Sequence, residues 1–279
     1  MNARNPAEGW FHGADSIDEQ TARVRDGEAD HPLDWPRLAV ESGFAADEAD
    51  YYERLHEATV RATREAVTER EIADDKQLVH AIRALDDCQR TANELLERVG
   101  EWAGSHDIDA AVTMAYARDL ADRDPETPVE DRLVSLAGRV VALDREVASL
   151  RTFVEESTPG VAPNLSALAG PLLTARLLAL AGGLEDLAKL PSGTVQVLGA
   201  EDALFAHLRG GAPSPKHGVI YTHEAVRGTA RDQRGSAARA LAGKLTIAAR
   251  VDHYSGDRRP ELEADLADRI ERIRARDDA

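Results

Sequence analysis

The sequence predicts an all-α protein, built as a long antiparallel helical hairpin followed by a compact helical domain. Two runs of apolar residues at alternating spacings of three and four predict the hairpin, and a third run, dense in small residues, predicts the compact part. The first run is Leu78, Ala81, Leu85, Cys88, Ala92, Leu95, Val99 and Trp102; the second is Leu133, Leu136, Val140, Leu143, Val147, Leu150 and Val154. Such a rhythm puts every member on one helix face, the pattern of a heptad seam flanked by charge. Four regions follow: a short N-terminal region (1–70), the hairpin (71–158), the compact domain (159–256) and a charged tail (257–279).

In chain order, residues 1–32 are polar and weakly patterned, with an isolated Trp10-Phe11 pair, and read as loosely ordered. Asp34-Trp35-Pro36 reads as a helix start, with an N-cap aspartate and proline in the first turn. A helix over about residues 47–69 sets Tyr51, Leu55 and Ala58 along one face. The first seam helix is expected to end at Gly100 and Gly104, with a polar connection after it. Thr127-Pro128-Val129-Glu130 then predicts a capping box that opens the second. Two such helices and a turnable linker make a hairpin, read as exposed because few apolar residues fall outside the seams. Pro163–Pro171 opens the compact run LLTARLLALAGGLEDLAKLP, which Gly182-Gly183 interrupts and Pro191 stops. A short extended piece is expected at Val219–His223, and a last amphipathic helix at about Arg234–Tyr254.

The chain carries 51 acidic and 34 basic residues, a net charge of −17. That balance favours solubility and argues against wholesale affinity for nucleic acid or membranes. Four lysines stand against thirty arginines, a composition similar to that of salt-adapted, halophilic organisms. The single cysteine, Cys88, excludes an internal disulfide and suits a reducing compartment. No signal peptide opens the sequence and no apolar run is long enough to span a bilayer. The expectation is a soluble, cytoplasmic protein.

The charge is uneven. Residues 159–256 contain ten Lys/Arg and seven Asp/Glu, so this segment is basic within an acidic chain. No phosphate loop, HExxH, cysteine pair or nucleophile elbow is present, and no enzyme is expected. His207, His217 and His223 fit no common zinc spacing, so neither metal nor cofactor is expected. Cys88 reads as a small core residue, and Glu201-Asp202 as acids at a helix start, where the dipole favours them. Arg227, Arg231, Arg234, Arg239, Lys244 and Arg250 follow a loop shaped by proline and glycine that bears Arg209, Lys216 and His217. Charge alone leaves two alternatives, a polyanion-binding face or a solvated basic face.

The motifs narrow the choice. APNL…AGPLL, LAKLPS…QVLGAE, ALF, PKHG and ALAGK…AARVD occur in that order within residues 161–256, and this segment closely resembles the Nop domain. DKQLVHAIRALDD (75–87) and residues 93–102 resemble the coiled-coil helix of the same family, so the likeness covers about residues 33–256. The archaeal Nop protein is the scaffold of the box C/D small ribonucleoprotein. The resemblance implies a face for kink-turn guide RNA, shared with a small kink-turn-binding protein of the ribosomal type. On this chain that face would comprise Glu201, Arg209, Lys216, His217, Arg227, Arg231, Arg234, Arg239 and Lys244. It also implies self-association through the seam residues Leu78, Leu85, Leu95, Val99, Leu136, Leu143 and Leu150. A third implication is an N-terminal region that recruits fibrillarin, the methyltransferase; the scaffold is not itself the enzyme. Two positions depart from the family's GAEKALFR, where Asp202 and Ala206 replace cations. The N-terminal region is short, and the tail lacks the long lysine run of many relatives. The alternative is an adaptor that binds protein alone.

Overall fold

A computed structural model describes residues 9–27 and 33–275. They fall into two units that part between Ala73 and Asp74. The regular structure is helical, with no strand among the described residues.

The first unit holds α1 (Ile17–Asp26), α2 (Trp35–Glu41) and α3 (Glu48–Glu71). Part of the segment expected to be loosely ordered is therefore a helix, and residues 1–8 and 28–32 of it lie outside the described residues. Ser16 starts α1 with a full capping box, accepting from Glu19 N while Glu19 accepts from Ser16 N. Trp10-Phe11 is not isolated. Phe11 is buried and stacks on Phe44 with centroids 5.4 Å apart, and Trp10 Nε1 donates to Tyr51 Oη at 3.2 Å. Those partners lie far along the chain, where a local pattern cannot reveal them. Asp47 caps α3 by accepting from Asp50 N, whereas Asp34 makes no cap bond to α2 and pairs with Arg37 instead.

The second unit begins with α4 (Asp74–Ala103), α5 (Met114–Ala121) and α6 (Pro128–Val161). Val99 of α4 packs with Leu133, Ala137 and Val140 at one end of α6, and Leu85 packs near Val154 at the other. The two helices are therefore antiparallel, as their seams predict. The connection between them is not merely polar: Tyr116, Ala117 and Leu120 of α5 cover the same end of α6. Gly100 does not end α4. A Cβ there would lie 2.6 Å from Val112 Cγ2, so the glycine admits the connection against the helix. At the start of α6, Thr127 accepts from Glu130 N, but Glu130 reaches back one residue further than a capping box requires, to Glu126 N.

The expectation that Leu78, Leu85 and Val99 meet a second copy needs correction. All three are buried within one chain, Leu78 in the core of the compact part, Leu85 against Val154 and Ala175, and Val99 against α6. Leu95, Leu136, Leu143 and Leu150 are half-buried, and Trp102 lies at the surface.

The compact part follows with α7 (Pro163–Ala169), α8 (Pro171–Ala181), α9 (Leu184–Lys189), α10 (Ser192–Val197), α11 (Glu201–Leu208), α12 (Glu224–Arg227), α13 (Arg234–Tyr254) and α14 (Glu261–Arg274). Helix α13 has the predicted limits, but it is central rather than amphipathic: Ala237, Ala238, Leu241, Ala242, Leu245, Ala248 and Ala249 are all buried. Helices α7, α9, α10, α12 and α14 pack around it. The small side chains let these neighbours approach closely. Val219–Thr222 is a 3-10 turn, not an extended piece. The residues read as a charged tail contain α14, whose Leu262, Leu266, Ile270 and Ile273 form one stripe in the core. No single helix among the described residues is long and apolar enough to cross a membrane; α7 and α8 pass that test only as a bent pair, and much of their apolar surface is core.

A buried polar network joins three of these helices. Asp252 of α13 accepts from Asn164 N at 3.0 Å, Leu165 N at 2.9 Å and Asn164 Nδ2 at 2.6 Å, so it satisfies the otherwise orphaned first turn of α7. Asn164 in turn donates to Asp257 O and accepts from Arg259 N, which fixes the link into α14.

Asp252→Ala leaves these donors buried without an acceptor and should cost about 3 kcal/mol or more, whereas the exposed Arg37→Ala should stay within about 1 kcal/mol. Urea melts of both variants check the contrast. Leu85→Ala, a cavity at the root of the hairpin, should cost about 2–5 kcal/mol; a light-scattering change at unaltered melting would instead return Leu85 to an intermolecular seam.

Candidate nucleic-acid interface

The basic residues of the compact part are positioned by a close backbone crossing. After α11 the chain returns past the end of α10, where Gly218 N donates to Gln196 O at 2.9 Å and Val219 N to Leu198 O at 2.8 Å. A Cβ on Gly218 would overlap the Leu198 carbonyl and lie 2.7 Å from Val197 C, so no other residue fits this crossing without displacing backbone. Gln196 Nε2 adds a bond to Lys216 O at 2.8 Å. The two residues before Gly218 are thereby presented from a fixed base.

Three cationic or protonatable side chains meet there. The His217 ring stacks on Tyr221 with centroids 4.6 Å apart, and the Arg234 guanidinium sits 5.5 Å from the Tyr221 centroid. Arg234 Nε also donates to Thr229 O, which orients it at the start of α13. Lys216 is exposed, and the aliphatic part of its side chain runs by Gly235, whose Cβ would lie 3.7 Å from Lys216 Cδ. Burial, followed by the charges of Arg234 and Lys216, holds the His217 pKa below 6.5. Unlike the exposed Lys216, His217 is half-buried against its tyrosine.

The remaining predicted residues are more scattered. Glu201 is exposed and accepts from Gly199 N at 2.8 Å, which closes the turn into α11. Arg209 is exposed at the C-terminus of the same helix, which buries none of its residues and exposes Phe205 and Leu208. Arg227 pairs with Glu224, and Arg231 is exposed in the turn before α13. Arg239 and Lys244 lie further along α13, where Lys244 Nζ meets Asp265 of α14 at 2.6 Å. Gln196 and Tyr221 have roles that arise from the crossing and leave no local signature in the sequence. Helix α14 reads there as tail.

The three neighbouring histidines do separate work. His207 Nδ1 bonds Ala212 O, His217 stacks, and His223 bridges two elements. His223 Nδ1 accepts from Ala225 N, so the proton resides on Nε2, which donates to Leu168 O at 2.9 Å. Among the described residues no group of three or more His, Cys, Asp or Glu is disposed to hold a metal.

The fold and this geometry can be set beside known proteins. The Nop family model, described as "snoRNA binding domain, fibrillarin", matches residues 57–275. A protein of Methanocaldococcus jannaschii described as an uncharacterized NOP5 family protein is 33% identical over 275 residues, covering 85% of this chain and 66% of that one. Nucleolar protein 58 of Schizosaccharomyces pombe is 36% identical over 219 residues, covering 65% of this chain and 43% of that one. The chain thus spans from under half to about two thirds of the length of these relatives. A chain in the crystal structure of a fibrillarin/Nop5p complex superposes with a TM-score of 0.54 at 24% identity, covering 96% of this chain and 99% of that one, and so shares the fold.

Burial, the first cause in each case, pulls the pKa of both His217 and His223 below 6.5. A histidine that is harder to protonate when folded makes acid destabilising, because the unfolded chain takes up the proton first. Stability should be complete above about pH 6.5 and fall as the pH drops from there toward the folded values. His223→Gln should flatten part of that slope, read from urea melts at about pH 7.5 and 5.5.

Proposed function

We propose that this chain, which belongs to the Nop family, is a non-catalytic scaffold of a box C/D ribonucleoprotein. It binds kink-turn guide RNA together with a small kink-turn-binding protein, and it positions fibrillarin for 2′-O-methylation of RNA. The observation that carries this reading is that His217, on the loop seated by Gly218, and Arg234, at the start of α13, both pack on Tyr221, with the exposed Lys216 running beside Gly235. A chain of net charge −17 has here a rigidly based, cationic and aromatic surface, the combination that tracks a phosphate backbone and stacks on a base. The first unit, with its aromatic cluster of Trp10, Phe11, Phe44 and Tyr51, is the part assigned to fibrillarin.

Self-association through the hairpin belongs to the same reading. With Leu78, Leu85 and Val99 buried inside the chain, a second copy is left with the half-buried Leu95, Leu136, Leu143 and Leu150. A protein-only adaptor is the second reading. It is favoured by α11, where Phe205 and Leu208 are exposed beside the non-basic Asp202 and Ala206.

The double change Lys216→Ala and His217→Ala should weaken binding to all kink-turn RNAs alike and lower the salt slope by roughly one counterion. Gel shifts across a salt series, with and without the small kink-turn-binding protein, separate the readings. Retention of RNA by the wild type and its loss in the variant supports the scaffold; no shift by the wild type under either condition leaves the adaptor.

A further inference from the structure

A cleft of about 500 Å³ runs between α13 and α14, beginning at Ser236, one residue beyond the Gly235 that the Lys216 side chain passes. Ala240, Gly243 and Ile247 lie along it, and its charged side chains are Arg239, Lys244 and Arg269. Among the described residues no carboxylate lines the cleft, although the chain carries 51 acidic residues. Arg239 and Arg269 are both exposed, and neither has a carboxylate partner among the described residues. A Cβ on Gly243 would meet nothing within 4 Å, so the floor is open to a close approach. Lys244 is the exception to the free charge: its ammonium reaches out of the cleft to Asp265, with the lysine side chain 24% and the aspartate 60% exposed.

We propose that this cleft is a second phosphate-binding track for RNA, with Arg269 of α14 as its outer wall, and that Asp265 occupies Lys244 until a phosphate displaces it. The inference rests on the RNA-scaffold reading and adds to it a helix that the sequence motifs of the basic segment do not include. Three observations favour a nucleic-acid backbone. Guanidinium groups flanking a floor of small side chains suit bidentate contact with phosphate oxygens. The apolar lining is Ala240, the buried Ile273 and one exposed large side chain, Ile247, too little for a protein interface. The cleft also continues from the first site: Gly235, beside Lys216, and Arg239 are one turn apart on α13, and Gly235 to Lys244 spans about 14 Å of helix. An RNA strand leaving the Lys216 loop can therefore follow α13 into the cleft. The Asp265 carboxylate is 60% exposed, so water screens its pairing with Lys244 and lowers the cost of exchanging it for a phosphate.

The test is a titration of the full chain with a box C/D kink-turn RNA, with and without the small kink-turn-binding protein, over a salt series. Arg269→Ala should weaken binding about fivefold near physiological salt and lower the slope of log affinity against log salt by about one. Asp265→Asn should act oppositely, tightening binding and steepening the slope, because it frees Lys244 and removes a negative charge from the track. Both positions are surface ones, and thermal melting serves as the control that neither variant is misfolded. Arg269→Ala and Asp265→Asn that bind like the wild type, while the Lys216/His217 double variant is weakened, would overturn the second track and leave the scaffold reading standing. A wild type that binds no RNA would overturn both.

Discussion

The carboxylate of Asp252 is the constraint on which the compact part depends. It sits near the end of the central helix α13, yet it is spent on another helix, closing the first turn of α7 through two backbone amides and the Asn164 side chain. The Asn164 amide passes the constraint to Asp257 and Arg259, so the direction in which the chain enters α14 is set from the same point. A buried acid surrounded by donors has no neutral alternative of similar quality, because any other register would strand either the charge or the amides. The network therefore selects one packing of α7, α13 and α14, and the cleft and the basic loop both rest on α13.

The hairpin is tied to this core at its root. Asp75 accepts from Leu184 N, Lys76 donates to Gly182 O, and Arg83 donates to Ala179 O. Arg176 of α8 pairs with Asp86 through two bonds, and that pairing raises the arginine's pKa. Four residues in the first half of α4 thus meet α8 and the turn that follows it. Such contacts cover the start of the α4 seam from α8, while at its far end α5 and α6 bury Val99 and Ala103 and leave Leu95 and Trp102 partly exposed.

Much of this was legible in the sequence, and the divide follows physical reach. Periodicity is local, so the α4 and α6 seams and the limits of α13 could be read directly; the Gly-Gly break after α8 and the Thr127 cap are local as well. The family resemblance likewise rests on contiguous motifs. What escaped were elements stabilised from a distance. Helix α1 reads as polar because its neighbours supply the apolar surface; α5 is a short helix held by α6; α14 hides a four-residue core stripe among charges. Within the candidate interface the cations were visible, but the stack of His217 on Tyr221 and the pairing of Lys244 with Asp265 depend on loop closure and on α14. The periodicity of Leu78, Leu85 and Val99 points to a partner for the same reason: a seam announces that it is covered without naming what covers it.

One feature of α6 has a mechanical meaning. The helix runs from Pro128 to Val161 without a break, passing through Pro159, and 34 residues of helix make a rod of about 51 Å. One end bears the α5 cap and the other enters the core beside α7. The helix is continuous from the α5 cap to the entry into α7, with Pro159 only at its last turn, so over most of its length it acts as a ruler. Objects engaged at its two ends are kept at a set distance and azimuth, and a turn of one is delivered to the other as torque.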